Sequence, residues 1–265
     1  MPTPAYTPQM QAEYQRLFDT CVIKTDKYTE IDAAIAKILL GKSQYETLAS
    51  SFNLPWYVPG IMHYMECNCN FNQHLHNGDP LTARTVQEPI GRPTIGTPPF
   101  SWLASADDAL RMKKLQDWKD WNIPGTLYKF ETFNGFGYRY LTSPNVPINS
   151  PYLWSYSNHY TKGKFVRDHE YSNTAVSKQV GTAVLLRRMF EKQLATQYID
   201  RLTLTKQLAA IVVYAPNRYV AKAEELQKLL NTQGAIIRAD GKAGQITSDA
   251  LKVITGKYLT GDPRL

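Results

Sequence analysis

Cysteine is scarce in this chain, long apolar runs are missing, and no block of one charge occurs; each shortage excludes a class of protein. The 265 residues hold three cysteines, Cys21, Cys67 and Cys69. Three do not make a disulfide framework, and Cys67 and Cys69 lie too close for a relaxed bridge, so reduced thiols are expected. No stretch approaches the ~18 apolar residues that a membrane span requires. The segment from Met1 to Pro8 has no basic region followed by an apolar one, so no secretory signal is expected. Basic runs never exceed two residues, as at Lys113-Lys114 and Arg187-Arg188. They are not clustered with stacking aromatics, which argues against a nucleic-acid-binding module. The glycines fit no phosphate-binding loop of the Gly-x-x-x-x-Gly-Lys-Ser/Thr kind, and no internal repeat occurs.

What is present suits a folded protein. With 43% hydrophobic and 20% charged residues, the chain can bury a sizeable core. The net charge of +7, spread rather than clustered, implies diffuse attraction to an anionic partner such as an acidic polymer. Apolar spacing predicts helices over Gln9 to Phe18, around Ile31, Ile35, Ile38 and Leu39, and over Ser43 to Phe52. Further helices are predicted over Ser105 to Asn122 with Ser105 as N-cap, over Pro124 to Phe133, and over about Lys178 to Ala195. Between Asn68 and Ser101 the chain is irregular, and Leu81 to Gln87 with Arg92 to Ile95 is expected to form a small hairpin. The expected fold is therefore mainly α with a small β-hairpin region. A boundary near Gln197 to Asn217 separates a second, smaller helical domain. In it, Val220, Ala223, Leu226, Leu229 and Leu230 mark one helix and Ala250, Leu251 and Ile254 another.

The segment Pro59 to Asp79 carries the chemistry. Pro59 suits a first helical turn, and Ile61, Met62 and Met65 define a buried face that delivers Glu66 to the helix C-terminus. The macrodipole there disfavours a negative charge, and apolar neighbours push the carboxyl pKa upward as well. A carboxylic acid kept protonated near neutral pH is what glycosidic-bond cleavage needs from its acid catalyst. Asp79, in His74-Leu-His-Asn-Gly-Asp79, is the best second carboxylate. It can activate a water, act as nucleophile or stabilise oxocarbenium charge, or it can hold an Asn-Gly-Asp-Pro turn. His63 and Asn68 are expected to build a polar pocket around Glu66, with His76 hydrogen-bonding at the cleft. Tyr152 and Trp154, in Ser150-Pro-Tyr-Leu-Trp, suit either a sugar-stacking groove or a core. His74 and His76, at i and i+2, also invite a zinc reading, but no upstream His and Asp motif accompanies them, and neither metal nor cofactor is assigned.

Two resemblances sharpen this. The tail, with Glu225-Leu-Gln227, Leu230-Asn231, Asp240-Gly241, Gly244, Thr247 and Ala250, resembles the small peptidoglycan-binding domain of bacterial and phage wall enzymes. That resemblance implies wall binding through Asp240, Gly241, Gly244 and Thr247, although Ile254-Thr255 stands where the family usually has Phe-Gln. The preceding part resembles the catalytic domain of phage-type lysozymes, which place an acid Glu at a helix end before a small β region and further helices. Asn134-Gly135-x-Gly137-Tyr138 is similar to the Tyr-Asn-x-Gly element of goose-type lysozymes and lytic transglycosylases, which adds Asn134 and Tyr138 as substrate-binding residues. Cys67 departs from the Ser that usually follows the Glu in those families.

The resemblances imply a lysozyme-like catalytic domain over 1–196 and a peptidoglycan-binding domain, linker included, over 197–265. The expected protein is a monomeric endolysin. It is made in the host cytoplasm and cuts peptidoglycan between N-acetylmuramic acid and N-acetylglucosamine, without nucleic acid or stable membrane insertion. The rivals are a zinc peptidase using His74 and His76, and a non-catalytic wall-binding or phage structural protein.

Overall fold

Helix signals at the level of single residues set the frame of the computed structural model, which describes residues 3–141, 149–167, 170–195 and 201–265. Helix α1 (Pro8–Asp19) starts where the Thr7 hydroxyl accepts from the Met10 amide and Pro8 enters the first turn. Helix α2 (Tyr28–Leu40) buries Ile31, Ala34, Ile35 and Ile38, one face at i, i+3, i+4 and i+7 spacing. Gly41 joins it to α3 (Lys42–Phe52); a Cβ there would lie 2.5 Å from the Phe71 ring and 2.7 Å from that of Tyr45. α4 (Tyr57–Cys67) is buried at every position except Tyr64 and Glu66 and packs on α2, α3 and α8. Gly60 makes that approach possible, because a Cβ there would come within 2.8 Å of Ile38.

Contacts divide the chain into two compact units, Met1–Tyr198 and Ile199–Leu265. The boundary expected at 196/197 lies outside the described residues. In the first unit, the other helices are α5 (Trp102–Met112), α6 (Ile123–Asn134), the single turn α7 (Pro151–Trp154) and α8 (Thr182–Glu191). Among the described residues the only sheet is a two-stranded antiparallel one, β1 (Lys164–Arg167) with β2 (Glu170–Ser172), in the register Phe165 opposite Tyr171. The fold is thus mainly α with a small hairpin.

Two local expectations fail for identifiable reasons. The hairpin does not form between Leu81 and Ile95, where Pro89 and Pro93 remove ladder donors, with Pro80, Pro98 and Pro99 flanking the segment. That region is held instead by scattered bonds such as Thr85 N–H to the Arg92 carbonyl. The helix expected from Ser105 starts three residues earlier, with Ser101 accepting from the Ala104 amide. It stops at Met112, beyond which Lys114 adopts a left-handed φ of 54°.

The second unit is built from α9 (Arg201–Ile211), α10 (Ala221–Asn231) and α11 (Gln245–Thr255) around Val212, Ala223, Leu226, Leu230, Ala243, Leu251 and Leu259. Single bridges, Val213 to Thr260 and Ala215 to Ala243, tie its extended segments together. Among the described residues no helix is long and apolar enough to cross a membrane.

Candidate active site

Glu66 is the penultimate residue of α4, and its surroundings follow from how that helix ends. Asn68 and Cys69 both take left-handed backbone conformations, φ 53° and 60°, which turn the chain sharply away. Asn68 is the C-cap, exposed, and its Oδ1 accepts from Lys37 Nζ at 3.1 Å, so it terminates the helix and holds α2. Gln179 Nε2 donates at 3.0 Å to the Met65 carbonyl, one of the last-turn acceptors that a helix leaves unpaired. The loop after α4 folds back beneath the helix end: a Cβ on Gly78 would lie 3.7 Å from the Glu66 carbonyl oxygen.

The Glu66 carboxyl receives one direct hydrogen bond, from the Tyr152 hydroxyl on α7 to Oε1 at 3.0 Å. Burial raises its pKa; the Tyr152 bond and the charge of Lys113 oppose that shift without cancelling it. Lys113, at the end of α5, has its ammonium 5.2 Å from the centre of the Phe133 ring. The Tyr152 phenol stays protonated, since burial and the neighbouring Glu66 both push its pKa up. The site thus brings together an acid from α4, a phenol from α7 and a cation from α5. Tyr152 is present as expected, as a hydrogen-bond donor to the acid rather than as a stacking platform. Lys113 and Gln179 escaped sequence reasoning, because a lysine pair and a glutamine in a polar stretch read as ordinary surface.

Asp79 is pulled the opposite way. Its Oδ2 accepts from the backbone N–H groups of Val86 (2.8 Å) and Gln87 (3.0 Å) and from Asn77 Nδ2 (3.0 Å). These bonds lower its pKa, the Gln87 amide foremost. With 6% of its surface exposed, Asp79 fastens the loop 77–87 rather than presenting that oxygen to a water or a sugar.

The histidines turn inward. His63 has no exposed surface; its Nδ1 meets the Tyr45 hydroxyl at 2.8 Å, and its ring is boxed by Tyr45, Phe71 and Trp102. Burial drops its pKa to about 4, so it is a neutral core residue, and the substrate-binding role expected for it is corrected. His74 uses Nδ1 on Ser105 Oγ (2.7 Å) and Nε2 on the Ala83 carbonyl (2.8 Å). His76 Nε2 meets Asp108 Oδ2 at 2.8 Å, and Arg92 reaches the other oxygen of that carboxylate. The His76 side chain is fully buried, so it braces the loop against α5 instead of hydrogen-bonding in a cleft. With three of four imidazole nitrogens engaged, the pair lacks the lone pairs of a zinc site. Among the described residues no three His, Cys, Asp or Glu side chains converge as metal ligands. The Cys67 and Cys69 thiols are pushed up by burial, Cys67 to about 12, which removes a thiolate nucleophile near neutral pH.

The remaining expected residues divide similarly. Trp154 is 1% exposed and packs edge-on to His159, so it is core and no sugar platform. Tyr138 is buried against Phe165 and Tyr171, its hydroxyl accepting from the Phe165 amide, which anchors the hairpin. Asn134 is the exposed last residue of α6, and Gly135 follows with φ 80°. Another glutamate, Glu131, is fully buried at 2% exposure, but Arg139 lies 3.0 Å from it and Tyr14 hydrogen-bonds to it. Glu131 is an ion-pair anchor; Glu66 has no comparable guanidinium among the described residues.

In the second unit Gln227, 2% exposed, organises the glycine loop. Its Nε2 donates to Asp240 Oδ1, the Lys242 carbonyl and Thr247 Oγ1, while its Oε1 accepts from the Gly241 amide at 2.8 Å. Gly241 has φ 71°, and a Cβ there would lie 2.4 Å from the Tyr219 ring, so this position excludes side chains. Asp240, Gly244 and Thr247 line a pocket of about 490 Å³ with Arg238, Lys242 and Ile246. Thr247 is buried in its wall, and Gly241, also buried, is not part of the lining; the exposed lining residues are Pro216, Arg238, Lys242, Gln245 and Ile246. No family model matches the chain, and no curated protein or solved structure shows significant similarity to it.

Proposed function

We propose that the chain is a peptidoglycan-cleaving glycosidase of the endolysin type, with Glu66 as general acid and the second unit as a wall-binding tether. The observation that carries this reading is the Glu66–Tyr152 pair at the end of α4. A carboxyl whose pKa is raised by burial, and which no arginine among the described residues neutralises, is suited to hold a proton for a leaving glycosidic oxygen. Because the phenol donates to Oε1, the acid proton resides on Oε2. When that proton passes to the leaving oxygen, the same phenol stabilises the new carboxylate without moving. Asp79 contributes by holding the loop against the end of α4. With Asp79 so engaged, the second partner in the reaction is a water, or a group of the sugar itself.

The net charge of +7 favours approach to an anionic wall, and a binding unit on the same chain raises the local concentration of cleavable bonds. No cofactor is required, and the chain acts as a monomer on the wall after synthesis in the host cytoplasm. The test is mass spectrometry of soluble fragments from purified sacculi incubated with wild type and with Glu66→Gln, each with and without EDTA. Disaccharide-peptides from the wild type, unaffected by EDTA and absent with Glu66→Gln, are expected. Cut stems on intact glycan, abolished by EDTA, would move the chemistry to a metallopeptidase; binding without fragments would leave a wall-binding protein.

A further inference from the structure

The second unit has another concavity, away from the glycine loop. It encloses about 400 Å³ between α9 and α11 and is lined by Lys206, Ala209, Ala210, Leu251, Thr255, Lys257, Tyr258 and Thr260. Among the described residues no acidic one lines it. Lys206 and Lys257 are exposed, and neither ammonium has a carboxylate partner among the described residues. Its one aromatic ring, Tyr258, is covered by Lys252 at 5.0 Å and by Arg264 at 4.4 Å, the latter ion-paired with Asp249 and Asp262. Its apolar lining is small: half-buried Ala209, exposed Ala210 and buried Leu251.

Resting on the wall-binding reading above, we infer that this concavity is a second wall-binding subsite, taking a short peptide that ends in a small apolar residue with a free carboxylate. The two free ammonium groups supply charge-assisted donors to the carboxylate, and Ala209, Ala210 and Leu251 accept the methyl group. Thr260 and Tyr258 provide hydroxyls for the peptide backbone, while the Thr255 hydroxyl is bonded to the Leu251 carbonyl. A glycan would seek a bare aromatic face, and Tyr258 already carries two cations; a phosphate polymer would gain nothing from an aliphatic lining. Alanine-terminated stem peptides present the matching chemistry on peptidoglycan, so the subsite recognises the stems while Glu66 cuts the glycan.

The test is a titration of the full-length protein, followed by amide NMR, with acetyl-L-lysyl-D-alanyl-D-alanine, its C-terminal amide, and inorganic phosphate. Saturable shifts confined to Ala209, Ala210, Thr255 and Lys257 are expected with the free acid. About tenfold weaker binding is expected for the amide, for Lys206→Gln/Lys257→Gln, and for Ala210→Leu, which crowds the apolar lining. All three changed positions are exposed, and an unchanged spectrum elsewhere reports intact folding. Equal binding of acid and amide, the same shifts with phosphate, shifts at the Asp240 loop instead, or no shifts would each overturn the inference. Sacculus binding and fragment release are scored on the same preparations. If sacculi are bound or cut while the peptide fails, this inference alone falls; if sacculi are neither bound nor cut, the wall reading falls first.

Discussion

Replacing Tyr152 by Phe removes one hydroxyl and leaves the ring, so it isolates the bond that the structure draws to Glu66 Oε1. A hydrogen bond to a charged group contributes about 1.5–3 kcal/mol, and about 1.4 kcal/mol corresponds to one pH unit of titration. The low end of that range corresponds to about one pH unit. The sign follows from which form the phenol favours. It stabilises the carboxylate and so holds the Glu66 pKa down against the opposing effect of burial; without it the pKa rises further. Since the protonated acid is the active form, the alkaline limb of the pH–rate profile moves up by about one unit in Tyr152→Phe. The plateau falls, because the transition state loses a donor to its developing carboxylate, by about three- to tenfold. Initial rates of fragment release from sacculi, measured from about pH 4 to 9, give both quantities. An alkaline limb that stays in place or moves down would refute the assignment of Tyr152 to the acid.

Two further outcomes follow from the same geometry. Burial raises the folded-state pKa of Glu66 above its unfolded value, so the stability this group contributes is complete below the ordinary glutamate range and is lost as pH rises through the folded pKa. Glu66→Gln therefore gains stability relative to wild type as pH rises from about 4 toward neutrality, read as a widening gap in Tm; a gap that narrows would show that Glu66 is not desolvated. In the second unit, Gln227→Leu leaves the buried Gly241 amide without its partner and takes one of two donors from the Lys242 carbonyl, which keeps the Gly244 amide. The cost is about 2–3 kcal/mol, visible as faster hydrogen exchange in α10 and α11 with weaker sacculus binding, while fragment release from soluble glycan oligomers persists; unchanged exchange would refute the hub role of Gln227.

The sequence made the helices legible because their signals are local. Ile31, Ile35 and Ile38 repeat at the helical period, Gly135 takes a positive φ, and Pro8 and Pro124 sit in first turns, so α1, α2 and α6 could be drawn from residue order. The sheet was misplaced because alternation in Leu81 to Gln87 looks strand-like, whereas Pro89 and Pro93 decide against a ladder. Ser105 was misread for a related reason: a serine before an apolar run resembles a cap, but this one faces His74 inside the helix packing.

The site divides along the same line. Glu66 was legible, since a helix end and apolar neighbours are both written in sequence and both act on its pKa. The polar residues around it were not, because histidine and tryptophan carry the same letters in a cleft and in a core. His63 pairs with Tyr45, His74 with Ser105 and His76 with Asp108, partners 18, 31 and 32 residues away. Each pairing turns an apparent ligand into a brace, and together they fix the loop on which the Glu66 end of α4 rests. A cluster of histidines can therefore serve rigidity: His63 bonded to Tyr45, His74 held through both ring nitrogens and His76 held through Nε2 brace the segment that carries the Glu66 end of α4.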